Sequence, residues 1–359
     1  MDKKIAEFLG AQIYDNTLNL NYRPFDGMNT PYQKIDKTIE IITVPKLADP
    51  TKNQKNVGIV LDGDLIQEIL AKNYEAVIIT EINNHDDLDR LVTRNPDLVF
   101  SGVKYFDFLG KRLWLNDYLD LFGIPYIASN KKALDCESDK SRAKAIVRKA
   151  GIATANYFTA RPGEHPTEKS IPIAFPLFVK PVTGGDSRGV DANSVVSDFS
   201  GFLAKVAEIQ DLHQSRSLAE TYLSGKEYSV GIFEDIATGR LTAMPIEIIV
   251  EENQNGARVL DFDTKRNDTE KVIAVTDRMI RTQLSDLAKS AFKALDGKSF
   301  GRIDIMMSHD GFPHFVEANL MPGLGKGYFY RACKLNLDMN YEQMISKIAE
   351  SGLALRSTK

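Results

Sequence analysis

The sequence predicts an open parallel α/β domain followed by a longer α+β region. In the first 128 residues, short β-rich runs alternate with polar stretches that carry apolar residues at helical spacing. From Ile173 onward the pattern changes to antiparallel hairpins with glycine-containing turns. A chain of 359 residues is long enough for two or three domains of ordinary size.

Composition and charge narrow the class of protein. Hydrophobic residues at 43% and charged residues at 26% are typical of a soluble globular protein, which excludes a disordered or collagen-like chain. The formal net charge of −4 does not favour a nucleic-acid or anionic-membrane partner. No apolar run approaches the roughly 18 residues of a membrane span, and the first residues lack the apolar segment of a signal peptide. Two distant cysteines, Cys136 and Cys333, exclude a disulfide framework, so we expect a cytoplasmic protein.

The first predicted domain covers residues 1–128. Its predicted parallel strands are 41–44, 77–80, 97–100 and 125–128. Helices are predicted at 64–72 and 111–122, with Trp114 in the core-facing side of the second. Ligands bind such sheets at the carboxyl ends of the strands, which places a candidate crevice near Ser101.

The rest of the chain is predicted as a central domain, 129–215, and a C-terminal domain, 216–359. The helix predicted at 138–149 has Ser138 as its N-cap and ends at Gly151. Further helices are predicted at 198–212 and 277–295. Predicted strands are 175–180, 190–196, 217–222, 227–233 and 244–250.

The most informative stretch is a hairpin near the end of the C-terminal domain. Asp310-Gly311 is typical of a type I′ turn, which needs positive φ at both central positions. Folding about this turn places Asp304 opposite Glu317 and Arg302 opposite Asn319, all on one face. The other face is predicted to be core and carries Ile303, Ile305, Val316 and Ala318.

The facing acids suggest a metal site. Two carboxylates directly opposite, with Cβ atoms about 4.5–5.5 Å apart, repel each other unless a cation compensates. Mg²⁺ prefers oxygen ligands, so Asp304, Glu317 and Asn319 are the candidate set. The alternative is an exposed polar face on which Asp304 merely pairs with Arg302. Pro313 cannot donate to the ladder, so the register could slip beside it.

Two further segments suggest nucleotide binding. Lys180 ends a predicted strand, and three glycines and a serine follow within residues 183–189, a pattern that lets consecutive N–H groups approach a phosphate. The pattern matches neither the Walker A nor the Rossmann motif, and a purely structural turn is the alternative. We expect the charge-assisted contacts of Lys180 to form only with a bound nucleotide. Glu227, just after a Ser-Gly turn, could accept both hydroxyls of a ribose or could be a surface acid beside Lys226.

Taken together, these segments resemble the ATP-grasp superfamily, and most closely the D-alanine–D-alanine ligase family, over roughly residues 95–330. The resemblance implies an ATP-grasp fold with an N-terminal open parallel α/β (pre-ATP-grasp) domain. It implies ATP as cofactor, and the matching positions are Lys140, Lys180, Gly184, Gly185, Ser187, Glu220, Glu227 and Lys265. It also implies two Mg²⁺ ions, or Mn²⁺, at Asp304, Glu317 and Asn319, and a homodimer.

The implied reaction is a carboxylate–amine ligation on small molecules such as amino acids or peptides. ATP would phosphorylate a carboxylate to an acylphosphate, and an amine would then displace the phosphate. By the resemblance, Lys265 contacts the transferred phosphate from the base of a mobile loop, and Arg302 and the Gly323 N–H form an oxyanion site.

The substrate positions depart from the family. Ser101 begins a segment that replaces the family's histidine and acidic stretch, and Arg266 stands where the peptide-forming members carry tyrosine. Lys326 and Tyr328 lie in a final loop where the family has a serine for the second substrate's carboxylate. We therefore predict substrates other than two D-alanines. A true D-alanine–D-alanine ligase and a catalytically degenerate ATP-binding sensor or scaffold are the alternatives, and Arg302 argues against the second because binding alone does not need it.

Overall fold

The computed structural model describes residues 33–44, 58, 61–108, 110–185, 187–252 and 258–355. The chain divides into a unit of residues 1–34 and a unit of residues 35–359, and the elements below belong to the second unit. The first 32 residues of the predicted N-terminal domain lie outside the described residues.

The first sheet is parallel, as predicted. Its strands are β1 (Ile35–Thr43), β2 (Tyr74–Glu81) and β3 (Leu98–Ser101), in the order β2-β1-β3. Helices α1 (Gly63–Leu70) and α2 (His85–Arg94) lie between the strands in sequence. The predicted fourth strand at 125–128 is reduced to one parallel bridge between Val99 and Tyr126.

The prediction of a helix over 111–122 is wrong in its first third. Strand β5 (Lys111–Trp114) pairs antiparallel with β4 (Tyr105–Phe108). Of the predicted helix, the part that is helical is α3 (Leu115–Leu121). Trp114 therefore lies in a strand, half-buried, with its ring 5.3 Å from that of Tyr105. The partner strand decides the outcome, because strand preference depends on cross-strand packing more than on local spacing.

Two helices separated by one extended residue lead into the central region. They are α4 (Lys131–Ser138) and α5 (Lys140–Lys149). Asp139, rather than the predicted Ser138, is the N-cap of α5, and its carboxylate accepts the N–H of Arg142 at 3.0 Å. Gly151 follows the helix with φ of 76°, as expected of a helix-ending glycine.

The second sheet has four strands in the order β6-β9-β7-β8. They are β6 (Tyr157–Ala160), β7 (Leu177–Pro181), β8 (Val195–Val196) and β9 (Ser217–Thr221). The predicted strand 190–196 is mostly wrong, because a short 3-10 turn (Ala192–Ser194) precedes β8; a second 3-10 turn is Glu168–Ser170. Helix α6 (Phe199–His213) packs against this sheet and is capped by Asp198, as predicted.

The third sheet is antiparallel and has the order β12-β11-β10-β13-β14. Its strands are β10 (Glu227–Asp235), β11 (Arg240–Ile249), β12 (Lys271–Ala274), β13 (Phe300–Met307) and β14 (Pro313–Asn319). The accompanying helices are α7 (Phe262–Asn267), α8 (Arg278–Ala294), α9 (Tyr328–Leu337) and α10 (Tyr341–Ala354). Helices α8 and α9 pack on this sheet and bury its apolar face, including Ile303 and Ile305.

The hairpin of β13 and β14 has the predicted register at its site end. Asp304 lies opposite Glu317 and Arg302 opposite Asn319. Closer to the turn the register shifts, and Ile305 lies opposite Phe315. Val316 is therefore an extra residue that is only half-buried. Phe315 takes the core position that was predicted for Val316. Such a bulge leaves one residue unpaired and bends the strand.

The turn itself is not type I′. Gly311 has φ of 82°, but Asp310 is not among the described residues with positive φ. The loop is instead wider, and the N–H of Ser308 donates to the carbonyl of Phe312 at 2.9 Å. In the part of the chain that the structure describes, no helix is both long and apolar enough to cross a membrane.

Candidate active site

Buried lysines and one glutamate form the centre of a cleft between the second and third sheets. Helix α5 presents Lys144 from its second turn, β7 presents Lys180, and β9 presents Glu220. The Nζ of Lys144 lies 2.6 Å and the Nζ of Lys180 2.8 Å from the two carboxylate oxygens of Glu220. Burial opposes ionisation of Glu220, but the two ammonium groups outweigh it and lower its pKa to about 2.

Lys140 links the glycine-rich turn to the hairpin acids. Its Nζ donates to the carbonyl of Gly184 at 2.7 Å and lies 3.9 Å from Glu317 Oε2. Burial lowers the pKa of Lys140, and the neighbouring Lys180 and Lys265 lower it further, whereas Glu317 raises it. Four lysine side chains therefore line the same cleft, which suits a polyanion such as a nucleotide phosphate chain. They are Lys140, Lys144, Lys180 and Lys265.

The glycine-rich turn lies against the segment that precedes α7. Gly184 has φ of 106°, a backbone conformation that favours glycine. Ser187 Oγ donates to the carbonyl of Leu260 at 2.9 Å, and the N–H of Phe262 donates to the carbonyl of Val190 at 3.4 Å. The turn and this segment thus close one side of the cleft, with Gly185 and Ser187 on its lining.

The cleft has about 900 Å³ of empty space, part of it open to solvent. Besides the charged groups it has apolar walls, formed by Phe178, Tyr222, Leu223, Leu260, Met306 and Val316. Ligand sites commonly combine apolar walls with a few convergent polar groups. An aromatic base would fit the apolar walls and its phosphates the lysines.

Glu227 begins β10 and lines the same cleft. Burial raises its pKa to about 7; Lys265 works against this rise, while Asp304 and Glu317 add to it. Glu227 is therefore half-buried in the cleft wall and is not a fully exposed acid beside Lys226.

Asp304 is held by three donors. Arg302 donates through Nε and an Nη to both carboxylate oxygens at 2.9 and 3.0 Å, and Asn319 Nδ2 donates at 3.1 Å. Ser229 Oγ donates at 2.6 Å from the neighbouring strand. Sequence reasoning missed Ser229, although its spacing of two from Glu227 places both on one face of β10.

The residues present fit a hard divalent cation. Asp304 is 7% exposed and the Glu317 side chain 24% exposed, so the face is not fully exposed, although Asp304 does pair with Arg302 as the alternative expected. Among the described residues, Glu317 makes a single ion pair, with Lys140 at 3.9 Å, so its carboxylate oxygens are available to a further ligand. Lys140, Lys180, Lys265 and Arg302 overcome burial and lower the pKa of Glu317 to about 2. Two carboxylates and the Asn319 amide oxygen are the donor type that Mg²⁺ prefers. Within the described ranges no three His, Cys, Asp or Glu side chains group around a common metal position, so the amide would be a necessary ligand.

Arg302 and Lys265 share the ring of Tyr328. The Arg302 guanidinium carbon lies 5.3 Å and the Lys265 Nζ 6.0 Å from the ring centroid. The Tyr328 hydroxyl donates to Glu270 Oε1 at 2.7 Å, and burial together with this bond raises the pKa of Tyr328 well above its usual value. Glu270 is a residue that sequence reasoning missed, because it follows α7 in a stretch without a motif.

The other predicted substrate residues, and the predicted catalytic residue Gly323, do not join this cluster. Ser101 is buried, and its Oγ accepts the N–H of Val103 at 3.0 Å within its own turn. Arg266 and Lys326 are exposed, and neither lines the cleft. Gly323 lies exposed in the loop after β14, four residues beyond Asn319.

Comparisons with known proteins agree with this architecture. The family model described as D-ala D-ala ligase C-terminus matches residues 146–350. D-alanine–D-alanine ligase A of Bacillus cereus is 26% identical over 308 residues, which cover 85% of this chain and 96% of that protein. The D-alanine–D-alanine ligase of Nocardia farcinica is 29% identical over 245 residues, 67% of this chain and 66% of the relative.

Solved structures share the fold. D-alanine–D-alanine ligase from Bacillus anthracis, complexed with ATP, has a TM-score of 0.66 at 20% identity and covers 90% of this chain and 99% of that chain. VanG D-Ala:D-Ser ligase from Enterococcus faecalis has a TM-score of 0.65 at 18% identity and covers 90% of this chain and 100% of that chain. With the family model matching more than half of its residues, this chain belongs to the D-alanine–D-alanine ligase family of ATP-grasp enzymes, which are ATP-dependent ligases that form C–N bonds.

Proposed function

We propose that this protein ligates a small carboxylate to a small amine, through an acylphosphate made with ATP, on substrates other than two D-alanines. The observation that carries the proposal is the position of Tyr328. Its ring lies beneath Arg302 and Lys265, and its hydroxyl is bonded to Glu270. By the family resemblance this loop should offer a serine to the second substrate.

The nucleotide half of the proposal is supported by the cleft. Lys140 and Lys180 line the cleft and would supply positive charge to a phosphate chain, and Lys140 contacts the glycine-rich turn at Gly184. Glu227 lines the cleft wall, and its ionised carboxylate would accept the ribose hydroxyls. The apolar walls on Phe178 and Met306 suit a purine ring.

The substrate carboxylate and amine would react beside Arg302. As the phosphate is transferred to the first substrate's carboxylate, Lys180 and Lys265 would bind its oxygens. When the amine attacks, the N–H groups of Arg302 that are not directed at Asp304 and the Gly323 N–H would stabilise the oxyanion, a contribution of roughly 3–4 kcal/mol for such donors. Asp304, Glu317 and Asn319 would hold Mg²⁺, which neutralises charge on the phosphates when it is bound.

The second substrate's site is the part that departs from the family. The Tyr328 ring adds apolar area, and its bonded hydroxyl is already engaged with Glu270. A small zwitterion would lose the serine that grips its carboxylate. Arg266 gives this proposal no support, because it is exposed and does not line the cleft. We therefore attribute the expected change of substrate to Tyr328 and Glu270.

The test is phosphate release from Mg·ATP across a panel of D- and L-amino acids and dipeptides, supplied singly and in pairs. We expect D-alanine pairs at millimolar concentration to be poor substrates, and at least one larger substrate to be turned over faster. Tyr328→Phe, which keeps the ring and loses the hydroxyl, is the matched control for Tyr328→Ser, which should shift the preference toward small amino acids.

Two outcomes would contradict the proposal. Efficient synthesis of D-alanyl-D-alanine by the wild type would make the protein an ordinary D-alanine–D-alanine ligase. Tight ATP binding by calorimetry without turnover on any member of the panel would favour a sensor or scaffold.

A further inference from the structure

Helix α4 ends with an acid at a position where a helix disfavours one. Glu137 lies in the last turn of α4, near the negative end of the helix dipole. Its side chain is nevertheless only 12% exposed, so neighbouring groups must compensate its charge. The compensating groups come from two distant parts of the chain.

The first group is a pair of backbone amides. The N–H groups of Leu320 and Met321 both donate to Glu137 Oε2, at 2.9 and 3.0 Å. Successive N–H groups that converge on one oxygen form a small anion-binding concavity. Leu320 directly follows Asn319, the last residue of β14, and Met321 precedes Pro322-Gly323.

The second group is Lys104, whose ammonium donates to Glu137 Oε1. Lys104 is three residues beyond Ser101, in the loop that follows the carboxyl end of β3. Ligands bind parallel sheets at the carboxyl ends of the strands, so this loop borders the crevice predicted near Ser101. The Glu137 carboxylate therefore connects the loop after β3 in the first sheet to the loop after β14 in the third sheet.

We propose that Glu137 is a positioning residue that holds the loop of residues 320–327 relative to the reacting end of the site. It does not touch nucleotide or reacting atoms itself. It fixes the position of the backbone between Asn319 and Gly323. The proposed metal ligand Asn319 and the proposed oxyanion donor, the Gly323 N–H, therefore keep a constant distance from each other. The proposal rests on the proposed function in one respect, because it takes Gly323 as a group that acts on the reacting carbonyl.

The acceptor oxygen is the essential feature, which makes the conservative variant informative. Glu137→Gln retains an oxygen that can accept both N–H groups but loses the ion pair with Lys104. Glu137→Ala leaves both amides without a partner in a buried place, which favours a shift of the loop. Asp135→Ala on the same helix is the matched control, because Asp135 pairs with Lys131 and Arg142 rather than with the loop.

Two measurements test the proposal on the full-length protein. Amide hydrogen exchange of residues 320–327 needs no substrate. Steady-state phosphate release uses Mg·ATP with the amino acids that the wild type turns over fastest. In Glu137→Ala we expect faster exchange in the loop and a fall in kcat of about ten- to a hundredfold, the size that misplacement by about 1 Å causes, with the KM for ATP within about twofold. In Glu137→Gln and Asp135→Ala we expect kcat within about threefold of the wild type.

Several results would overturn the proposal. Unchanged loop exchange or unchanged kcat in Glu137→Ala would do so, as would a Glu137→Gln variant as impaired as the alanine variant. A parallel loss of kcat, ATP affinity and melting temperature would show a purely structural role. If Glu137→Ala does not fold, Glu137→Asp, which withdraws the carboxylate by one methylene, is tested against the same criteria. If the wild type ligates nothing, the proposed function fails, while the exchange data still decide whether Glu137 holds the loop.

Discussion

Glu220 is the residue on which two buried lysines depend. The sequence predicts that Lys180 makes its charge-assisted contacts only with nucleotide bound, and this prediction is wrong, because Lys180 pairs with Glu220 at 2.8 Å. Removing one partner of a buried ion pair commonly costs about 3–5 kcal/mol. Substitution of Lys180 should therefore lower the free energy of unfolding as well as ATP affinity, and Lys144 should limit the loss of stability because it still pairs with Glu220.

Glu317 provides the sharpest test of the proposed metal site. Glu317→Gln should abolish phosphate release while leaving a folded protein, because the amide keeps the shape of the side chain and removes the charge that a divalent cation needs. EDTA should stop the wild type, and added Mg²⁺ or Mn²⁺ should restore it. Asp310→Asn, which alters an exposed acid in the same hairpin, should leave the rate unchanged. Full activity of Glu317→Gln would remove the metal assignment.

Glu227 predicts a pH dependence with a definite sign. Its pKa is about 7 in the folded protein against an ordinary value of 4.5, so the folded state binds the proton more tightly. The resulting stabilisation is complete below about pH 4.5 and is lost as the pH rises through about 7. Glu227→Gln mimics the neutral carboxyl. Its free energy of unfolding should exceed that of the wild type by a margin that grows over this window and is constant above it.

Urea denaturation of the two proteins at several pH values measures this margin. ATP binding should have the opposite trend, because ribose hydroxyls need the ionised carboxylate as acceptor. Wild-type affinity by calorimetry should therefore rise with pH relative to that of Glu227→Gln. A pH-independent difference in both measurements would place the Glu227 carboxyl in solvent.

At the scale of single elements, the start of α5 controls where Lys140 lies. Asp139 caps the helix, and Lys140 is its first residue. Asp139→Ala should cost about 1 kcal/mol of stability, the usual value for a lost N-cap, and should weaken ATP binding because Lys140 loses its fixed direction. Asp139→Asn, which also caps, should lose little of either. Urea midpoints and calorimetry check both effects, and equal loss in the two variants would contradict a capping role.

The bulge in β14 is a second feature of this scale. Up to Glu317 the hairpin follows the predicted pairing, and the extra residue Val316 then shifts the register by one. Without it Phe315 would face the cleft side and Val316 the core. Because of the bulge, β14 buries Phe315 in the core while Glu317 stays opposite Asp304.

At the scale of the whole molecule, the cleft is assembled from two sheets and the helix α5. The nucleotide-binding candidates come from α5, β7, β9 and β10, and the metal candidates from β13 and β14. The contact of Glu137 with Lys104 and with the loop after β14 adds a link to the parallel sheet. The domain boundaries at residues 128 and 215, and a homodimer, stay predictions.

Patterns of residues close in sequence were enough to predict the fold class, the family and part of the candidate site. The ATP-grasp fold class and ligase family follow from motifs whose residues lie close in sequence. The facing of Asp304 and Glu317 also follows from strand alternation about a nearby turn, which is local geometry. Where a partner strand outside the local pattern decides, as at Trp114, the prediction from spacing is wrong.

Tertiary structure alone decided which distant side chains meet. Glu220 between Lys144 and Lys180, Tyr328 against Glu270, and Glu137 beneath Leu320 join residues 40 to 183 positions apart. No periodicity encodes such pairs, because each depends on how sheets and helices pack and on which buried charges then need a partner. Burial also set the protonation of the site, since a carboxyl such as Glu227 has an ordinary pKa until the fold removes its water.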